Sequence, residues 1–268
     1  MGVYGEWIVP ALIDLSMRNK RLRPYRARVA GAAEGRVLDV GVGTGLNVPF
    51  YAPRVRDIFG LDPSPRLLAR AQANVAHAQC PVHLIQGSAE SIPLADRSVD
   101  TIVMTWTGCS IPEVRTALGE MRRVLKTGGR LLFVEHGRAP EPGVARWQDR
   151  LDPFWHGLSG GCHLNRKTDD LLSDAGFRID RLETGYIPGP RIMTFLYEGA
   201  ASPRRRSRFL PAQRLEPTAV AELFIPVLSG RSPPAASKSP PTEGGWLCRP
   251  GESNALHRRS TQQVPCRP

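Results

Sequence analysis

The chain has 268 residues, of which 41% are hydrophobic, and its formal net charge is +11 at pH 7. This length allows a large hydrophobic core and favours one α/β domain of about 200 residues. No run approaches the roughly 18 consecutive apolar residues of a membrane-spanning helix, and the first residues lack the pattern of a secretory signal, so we expect a cytoplasmic protein.

The five cysteines are scattered along the chain and form no C-x-x-C pair. Such spacing argues against a disulfide framework and against a structural metal site, and it is typical of a reducing compartment. We therefore expect no bound metal.

The positive charge is concentrated after residue 201. Residues 202–268 contain eleven Lys and Arg against four Glu, and also eleven of the 25 prolines. This segment has too little apolar surface to offset the entropy of ordering it, so we expect disorder, apart from a short helix over 217–226. The rest of the chain is only mildly basic, and we expect no nucleic-acid partner.

Residues 4–30 are predicted to form one or two helices, interrupted at Pro10. The second half of this segment contains six basic residues: Arg18, Lys20, Arg21, Arg23, Arg26 and Arg28. One interpretation is a packing helix or lid with a solvated basic face, and another is an amphipathic segment that makes peripheral contact with anionic lipid. The pattern is compatible with both.

From residue 36 onward, short apolar runs alternate with helical stretches, which is typical of an α/β fold with a parallel sheet. We predict seven strands, near residues 36–40, 57–61, 82–86, 99–104, 130–135, 177–186 and 191–198. Ser64 and Pro65 form a helix start. A further helix is predicted over 113–126, ended by Gly128 and Gly129.

The first predicted strand leads into a glycine-rich turn, VLDVGVGTGLN, with glycines at 41, 43 and 45. A dinucleotide fingerprint requires glycine where this chain has Leu46, which disfavours a nicotinamide-dependent dehydrogenase. Asp62 lies at the end of the second strand, about twenty residues after Gly41. A carboxylate at this position accepts ribose hydroxyls. The third strand leads into QGSAESIPL, a candidate second nucleoside-binding loop.

Four segments in this order, VLDVGVGTG, GLDPS, QGSAESIPLADRSVD and RVLKTGGRLLFVEH, resemble the class I S-adenosylmethionine-dependent methyltransferases of the type 11 group. The resemblance implies a Rossmann-like, doubly wound, seven-stranded and mostly parallel sheet in the order 3-2-1-4-5-7-6, with the last strand antiparallel. It divides the chain into an N-terminal helical lid (1–35), a methyltransferase domain that binds the cofactor (36–201) and a basic tail (202–268).

The resemblance also implies which residues bind S-adenosyl-L-methionine. Gly41, Gly43 and Gly45 would pass beneath the amino-acid part of the cofactor, and Asp39 would help to hold its ammonium group. Asp62 would bind the ribose, and Ser88 and Ala89 would border the adenine. The set of cofactor-binding residues is completed by Pro63 and Thr105.

Residues 147–177 indicate which subgroup of these methyltransferases the chain resembles. They contain D-P-x-W at 152–155 and G-C-x-L-x-R at 161–166, after a strand that ends in Glu135 and His136. These elements resemble the animal thiol methyltransferases and bacterial phospholipid or quinone methyltransferases. The substrate residues proposed on this basis are Asp152, Trp155 and His163, and we expect Trp155 and Leu158 to line the acceptor pocket.

Methyl transfer from a sulfonium is an in-line displacement, so alignment and desolvation supply most of the acceleration. A base is needed only for a protonated acceptor, and His136, at the end of the fifth strand, is the candidate. An equally good interpretation is that His136 orients residues 147–163. Covalent catalysis by a Cys162–His163 pair is disfavoured, because the sequence shows no third residue that would orient the histidine toward the cysteine.

We therefore predict a methyltransferase that acts on a small lipophilic thiol or hydroxyl. Two alternatives stay open, a phosphatidylethanolamine N-methyltransferase and a non-catalytic module that binds S-adenosylmethionine. An amino-type nucleic-acid methyltransferase is disfavoured, because residues 105–110 read TWTGCS and lack its Asn/Asp-Pro-Pro-aromatic motif. We expect a small-molecule or lipid acceptor, and no obligate protein partner is evident.

Overall fold

The computed structural model describes residues 14–204. Their seven strands form one sheet: β1 (Gly35–Val40), β2 (Val55–Asp62), β3 (Val82–Gln86), β4 (Val99–Thr105), β5 (Leu125–His136), β6 (Phe177–Tyr186) and β7 (Phe195–Pro203). The strand order is β3-β2-β1-β4-β5-β7-β6. Strand β7 is antiparallel to both β5 and β6, whereas the other neighbouring pairs are parallel. The predicted fold class and strand order are confirmed.

Helices cover the sheet: α1 (Arg23–Gly31), α2 (Pro65–Val75), α3 (Val114–Val124), α4 (Pro142–Leu158), α5 (Thr168–Asp174) and the short α6 (Arg191–Thr194). Residues 14–17 are also helical, and 3₁₀ turns span Lys20–Leu22 and Val48–Phe50. Within residues 14–204, no helix has the length and apolar character needed to span a bilayer.

The two faces of the sheet bury separate hydrophobic clusters, because successive strand residues point to opposite sides. In β5, Leu131 and Phe133 belong to a cluster with Leu118 and Met121 of α3. Residues Leu132 and Val134 of the same strand belong to a second cluster, which contains Val29 and Ala30 of α1. Both faces are therefore covered, which explains why the central strands read as continuous apolar runs.

The start of α2 is as predicted. Ser64 is the N-cap, its hydroxyl accepts a hydrogen bond from the Leu67 N–H, and Pro65 occupies the first helical position. Helix α2 begins three residues after Asp62, the last residue of β2. The cap therefore fixes the position of the Asp62 carboxylate at the carboxyl edge of the sheet.

Three predicted boundaries are wrong. Residues 191–194 form α6 rather than the start of the last strand, because Pro190 caps a helical turn in which the Thr194 hydroxyl donates to the Pro190 carbonyl. Strand β7 continues to Pro203, so the domain boundary at 201 falls inside it. Helix α3 ends at Val124, and Gly128 and Gly129 lie within β5 at a shift of its register with β4.

The basic N-terminal stretch does not form a uniformly solvated face. Arg26 is only 6% exposed, and Arg28 pairs with the buried Glu198 at 2.7 Å. The predictions for residues 1–13, and those for the tail from residue 205 onward, lie outside the described residues.

Candidate functional site

A cavity of about 320 Å³ opens at the carboxyl ends of β1, β2 and β4. Open α/β sheets bind ligands at this edge, where the strand order reverses. Seven of the nine predicted cofactor residues line the cavity: Gly41, Gly43, Asp62, Pro63, Ser88, Ala89 and Thr105. The other two, Asp39 and Gly45, support the loop that forms the cavity wall.

The three glycines of the turn have positive φ angles of 68°, 55° and 77° at Gly41, Gly43 and Gly45. A Cβ on Gly41 would collide with the Thr107 side chain, whereas one on Gly43 would meet only the Gly41 carbonyl oxygen within 4 Å. A Cβ on Gly45 would be in ordinary van der Waals contact with α2, at 3.5 Å from the Ala71 Cβ. Gly43 therefore keeps the cavity open, and Gly45 lets the loop pack on α2.

Asp62 joins the glycine turn to the end of β2. One carboxylate oxygen, Oδ2, accepts a hydrogen bond from the Gly43 N–H at 3.0 Å, and Oδ1 accepts one from the Ser64 N–H at 2.8 Å. Burial raises the pKa of Asp62, and these two hydrogen bonds oppose that rise. A carboxylate has about four acceptor positions, so Asp62 retains acceptor capacity for a ligand hydroxyl.

Asp39 lies beneath the cavity, with no exposed surface. It accepts hydrogen bonds from the Asn47 amide at 3.0 Å and from the Tyr51 hydroxyl at 2.8 Å. Burial raises the pKa of Asp39 to about 6, although both hydrogen bonds act in the opposite direction. Asp39 does not itself line the cavity, whereas its hydrogen-bond partner Asn47 does, and the proposed contact of Asp39 with the cofactor stays a prediction.

Arg26 links this buried network to the cavity. Its Nη1 donates to Asn47 Oδ1 at 2.8 Å, and its guanidinium carbon lies 4.9 Å from the centroid of the Trp106 ring. Burial lowers the pKa of Arg26 to about 10, with Asp39 opposing that shift, so the side chain stays protonated at neutral pH. Arg26 and Asn47 both line the cavity. Neither residue was predicted from the sequence to line the cavity. Arg26 is one of six basic residues between positions 18 and 28, and nothing in the sequence distinguishes it from the other five.

The loop after β3 borders the cavity with Gly87, Ser88 and Ala89. The Ser88 hydroxyl accepts from the Glu90 N–H at 3.1 Å and donates to the Glu90 carboxylate at 3.0 Å. The other Glu90 oxygen accepts from the Glu113 N–H at 2.8 Å. Because the Ser88 hydroxyl forms both hydrogen bonds with Glu90, its side chain stabilises the loop that borders the cavity.

Glu135 fixes the loop after β4. Its buried carboxylate accepts hydrogen bonds from the N–H groups of Thr107 at 2.8 Å, Gly108 at 2.9 Å and Cys109 at 3.4 Å. Burial raises the pKa of Glu135, and these donors offset part of the rise. Immediately before them, Trp106 adopts a positive φ of 51° and lines the cavity. The sequence motif E-H marked Glu135 as a strand end and gave no sign of this role.

His136 faces away from this cavity. Its Nε2 lies 2.9 Å from the Cys162 sulfur, which lies 3.6 Å from the Cys109 sulfur. The contact with Cys109 and burial raise the pKa of Cys162, which stays a thiol at neutral pH. Burial is the largest influence on His136 and disfavours its charge, but the hydrogen bond with Cys162 and the electrostatic effects of Cys162, Glu135 and Asp152 together outweigh burial and raise the pKa of His136. The proposed role of His136 as base stays a prediction.

Of the predicted substrate residues, Asp152 and His163 form a pair. The Asp152 Oδ2 lies 2.8 Å from Nδ1 of His163, and its Oδ1 accepts from the Leu164 N–H at 2.7 Å. Trp155 and Leu158 lie outside the cavity lining, and Leu158 is 58% exposed. They belong to α4, so the expectation that they line the acceptor pocket does not hold for this cavity.

The match with a family model covers the centre of this fold. Residues 38–133 match the model of a methyltransferase domain. This range contains the glycine turn, Asp62, the second loop and β4.

Among curated proteins, the chain is 36% identical over 206 residues to human thiol S-methyltransferase TMT1B, covering 71% of this chain and 84% of that protein. It is 35% identical over 197 residues to phosphatidylethanolamine N-methyltransferase of Cereibacter sphaeroides, covering 72% and 93%. A solved S-adenosylmethionine-dependent methyltransferase of Methanosarcina mazei superimposes with a TM-score of 0.53 and 21% identity, covering 63% of this chain and 92% of that one. That structure supports the fold alone.

Proposed function

Because this chain belongs to the S-adenosylmethionine-dependent methyltransferases, we propose that it methylates the sulfur of a small lipophilic thiol. The cofactor is S-adenosyl-L-methionine, and the enzyme is a transferase. The observation that carries the proposal is the cavity, which joins the glycine turn and Asp62 to apolar residues of the loop after β4. Relatives that are named thiol S-methyltransferases support the choice of acceptor.

The residues of the cavity fit the cofactor. The wall at Gly43 offers space beside the backbone, and Asp62 offers acceptor capacity for the ribose hydroxyls. The backbone of the loop with Ser88 and Ala89 borders the same cavity for the adenine. When bound, the cofactor supplies a methyl group on a sulfonium, which is a good leaving group.

Opposite charges at the other end of the cavity suit an amino-acid moiety, which has both an ammonium and a carboxylate. Arg26 supplies a buried positive charge, and Asp14 supplies a carboxylate whose Oδ2 also pairs with Arg18 at 3.0 Å. The Asp14 Oδ1 accepts from the Thr44 hydroxyl at 2.7 Å, so its position is tied to the glycine turn. We assign the carboxylate of the cofactor to Arg26 and its ammonium to Asp14.

The acceptor side of the cavity is formed by Trp106, Ile111, Pro112 and Gly160. Three of these residues offer apolar surface, which suits a lipophilic acceptor. A free thiol has a pKa of about 8.5, so deprotonation aids transfer at neutral pH. His163, like His136, does not itself line the cavity, but it follows the lining residue Gly160 by three positions, and Asp152 orients its ring, so we propose His163 as a better base than His136.

An assay of S-adenosylhomocysteine release tests this function. Purified enzyme receives an aliphatic thiol, a phenol, a quinol or phosphatidylethanolamine in separate reactions. We expect turnover with the thiol, and a decrease of roughly 10² to 10⁴ in kcat for His163→Gln if His163 is the base. Turnover with phosphatidylethanolamine alone would overturn the thiol assignment, and binding without turnover in every reaction would favour the non-catalytic alternative.

Phosphatidylethanolamine methylation is the second candidate function. It is supported by the relative from Cereibacter sphaeroides and by an exposed apolar face on α4. On this face, Trp147, Phe154 and Leu158 are 55%, 80% and 58% exposed. Apolar side chains on a helix with basic neighbours are typical of peripheral membrane contact. We propose a cytoplasmic enzyme with such contact, and flotation with anionic vesicles tests it: Phe154→Ser should weaken the association.

A further inference from the structure

Three metal-ligating side chains converge behind the cavity. Cys109 lies in the loop after β4, His136 ends β5, and Cys162 lies between α4 and α5. Their ligand atoms all lie within 4.8 Å of one another. The two cysteines are 53 positions apart, so this cluster cannot be recognised in the sequence, which has no C-x-x-C pair.

We propose that Cys109, His136 and Cys162 bind a zinc ion. In a tetrahedral zinc site with Zn–S bonds of about 2.3 Å, two sulfur ligands lie about 3.8 Å apart. The sulfur atoms of Cys109 and Cys162 are 3.6 Å apart. His136 Nε2 is 2.9 Å from the Cys162 sulfur, against about 3.5 Å in a zinc site, so binding requires these two atoms to separate by a few tenths of an ångström.

The backbone around the cluster is held in place by hydrogen bonds. The Cys109 N–H donates to Glu135, and the Cys109 carbonyl accepts from the His163 N–H at 2.9 Å. Arg166 Nη1 donates to the carbonyls of Gly108 and Ile111 at 2.6 and 2.7 Å. The loops that contain the two cysteines are therefore tied to each other, and the ion meets ligands that are already assembled.

A small cavity lies beside the cluster. Cys109 and His136, but not Cys162, line this second cavity of about 10 Å³, which is roughly the space for one water molecule. Thiolates are the zinc-binding form of cysteine, so the two thiols release their protons to solvent as Zn²⁺ binds. The two negative charges then balance the charge of the ion in this buried setting.

The ligand set also predicts the type of site. Three protein ligands, two sulfurs and one imidazole, leave one position of a tetrahedral zinc ion for an exogenous ligand. The soft sulfur ligands favour zinc over magnesium or calcium, which prefer oxygen. The three ligands all come from the protein, so zinc binding does not depend on the identity of the methyl acceptor.

The test uses the full chain, purified without a histidine tag and loaded with zinc chloride or cobalt chloride. We expect one zinc per chain to survive extensive buffer exchange, measured by elemental analysis. The cobalt form should show thiolate-to-cobalt charge-transfer absorption in the near ultraviolet, together with the strong visible bands of tetrahedral Co²⁺. A cobalt spectrum without the charge-transfer absorption would overturn the proposal.

Matched variants locate the site. Cys109→Ser and Cys162→Ser should each lower the zinc content to background, whereas Cys80→Ser and the double variant Cys248→Ser/Cys266→Ser should keep one zinc per chain. Calorimetry with S-adenosylhomocysteine checks that each variant remains folded. Equal zinc content in wild type and in folded Cys109→Ser and Cys162→Ser variants would overturn the assignment, as would loss of zinc in the control variants alone.

Discussion

At the scale of single residues, the site depends on a polar network that lies under the glycine turn. Arg26, Asn47 and Asp39 are 6%, 2% and 0% exposed, yet each is polar or charged. Their mutual hydrogen bonds compensate the cost of burial, and removing one partner leaves the others unsatisfied. Arg26 is the member that lines the cavity with a full positive charge.

Arg26→Gln should weaken S-adenosylhomocysteine binding about 10- to 100-fold, because hydrogen bonds to charged groups contribute about 1.5–3 kcal/mol. Arg23→Gln is the matched control, since Arg23 begins the same helix and is exposed. Isothermal titration calorimetry measures both affinities. If the two variants bound the cofactor product equally well, the assigned role of Arg26 would be wrong.

The pKa of Asp39, about 6, has a consequence for stability. Because burial raises this pKa, the folded state binds more protons than the unfolded state between about pH 4 and pH 6. The contribution of Asp39 to the unfolding free energy therefore increases as the pH falls through 6, by about 2 kcal/mol at pH 4 and by up to about 3 kcal/mol well below pH 4.

Carbon-13 NMR titration of the Asp39 carboxyl measures this pKa directly, and urea unfolding at several pH values measures the stability. Asp39→Asn should remove this contribution from the pH profile of the unfolding free energy. An Asp39 pKa near 4 in the folded wild type would contradict the account of the buried network.

At the scale of secondary-structure elements, the glycine turn after β1 combines two different requirements for glycine, which the spacing of the glycines in the sequence does not distinguish. Gly43 borders the cavity, whereas Gly45 faces α2, where an added Cβ would lie 3.4 Å from the Asn74 Cβ and 3.5 Å from the Ala71 Cβ. The space at Gly45 would admit a methyl group in ordinary contact, but its φ of 77° disfavours any side chain.

Gly45→Ala should destabilise the fold by about 1–2 kcal/mol, since a left-handed conformation costs that much in a residue with a Cβ. Gly119→Ala in α3 is the control: nothing lies within 4 Å of its added Cβ, so the helix should gain up to about 1 kcal/mol. Urea unfolding compares the two variants with wild type. An equal effect of both substitutions would show that the φ angle at Gly45 is not under strain.

Sequence patterns predicted the elements better than the site. The strands 82–86 and 177–186 match β3 and β6 residue for residue, because apolar runs between turn signals define them. The start of β7 was wrong, because its predicted run included the helical turn after Pro190. Pairing of Cys109 with Cys162 could not be predicted, since it depends on how distant loops meet after folding.

At the scale of the whole molecule, the fold requires a few residues beyond the predicted domain boundary. In the last pairs of the sheet, Ser202 lies opposite Arg178 and Pro203 opposite Phe177. The Arg204 N–H donates to the Gly176 carbonyl at 2.8 Å, and its Nε donates to the Phe177 carbonyl at 3.1 Å.

Removal of residues 205–268 should therefore leave the melting temperature nearly unchanged, because their composition predicts little burial of apolar surface. Removal of residues 202–268 should lower it by several degrees, since each lost backbone hydrogen bond contributes about 1 kcal/mol. Differential scanning calorimetry of both truncations distinguishes them. A large decrease with the shorter deletion would mean that the tail stabilises the domain.

The most direct test of the whole account follows the methyl group itself. The enzyme receives S-adenosylmethionine with a trideuterated methyl group, together with a lipophilic aliphatic thiol, and mass spectrometry identifies the products. We predict a trideuteromethyl thioether in amounts equal to S-adenosylhomocysteine, and a large decrease in both for Asp62→Asn, but not for Asp57→Asn near the start of β2. Release of S-adenosylhomocysteine without a labelled thioether would contradict the assignment of a thiol as the methyl acceptor.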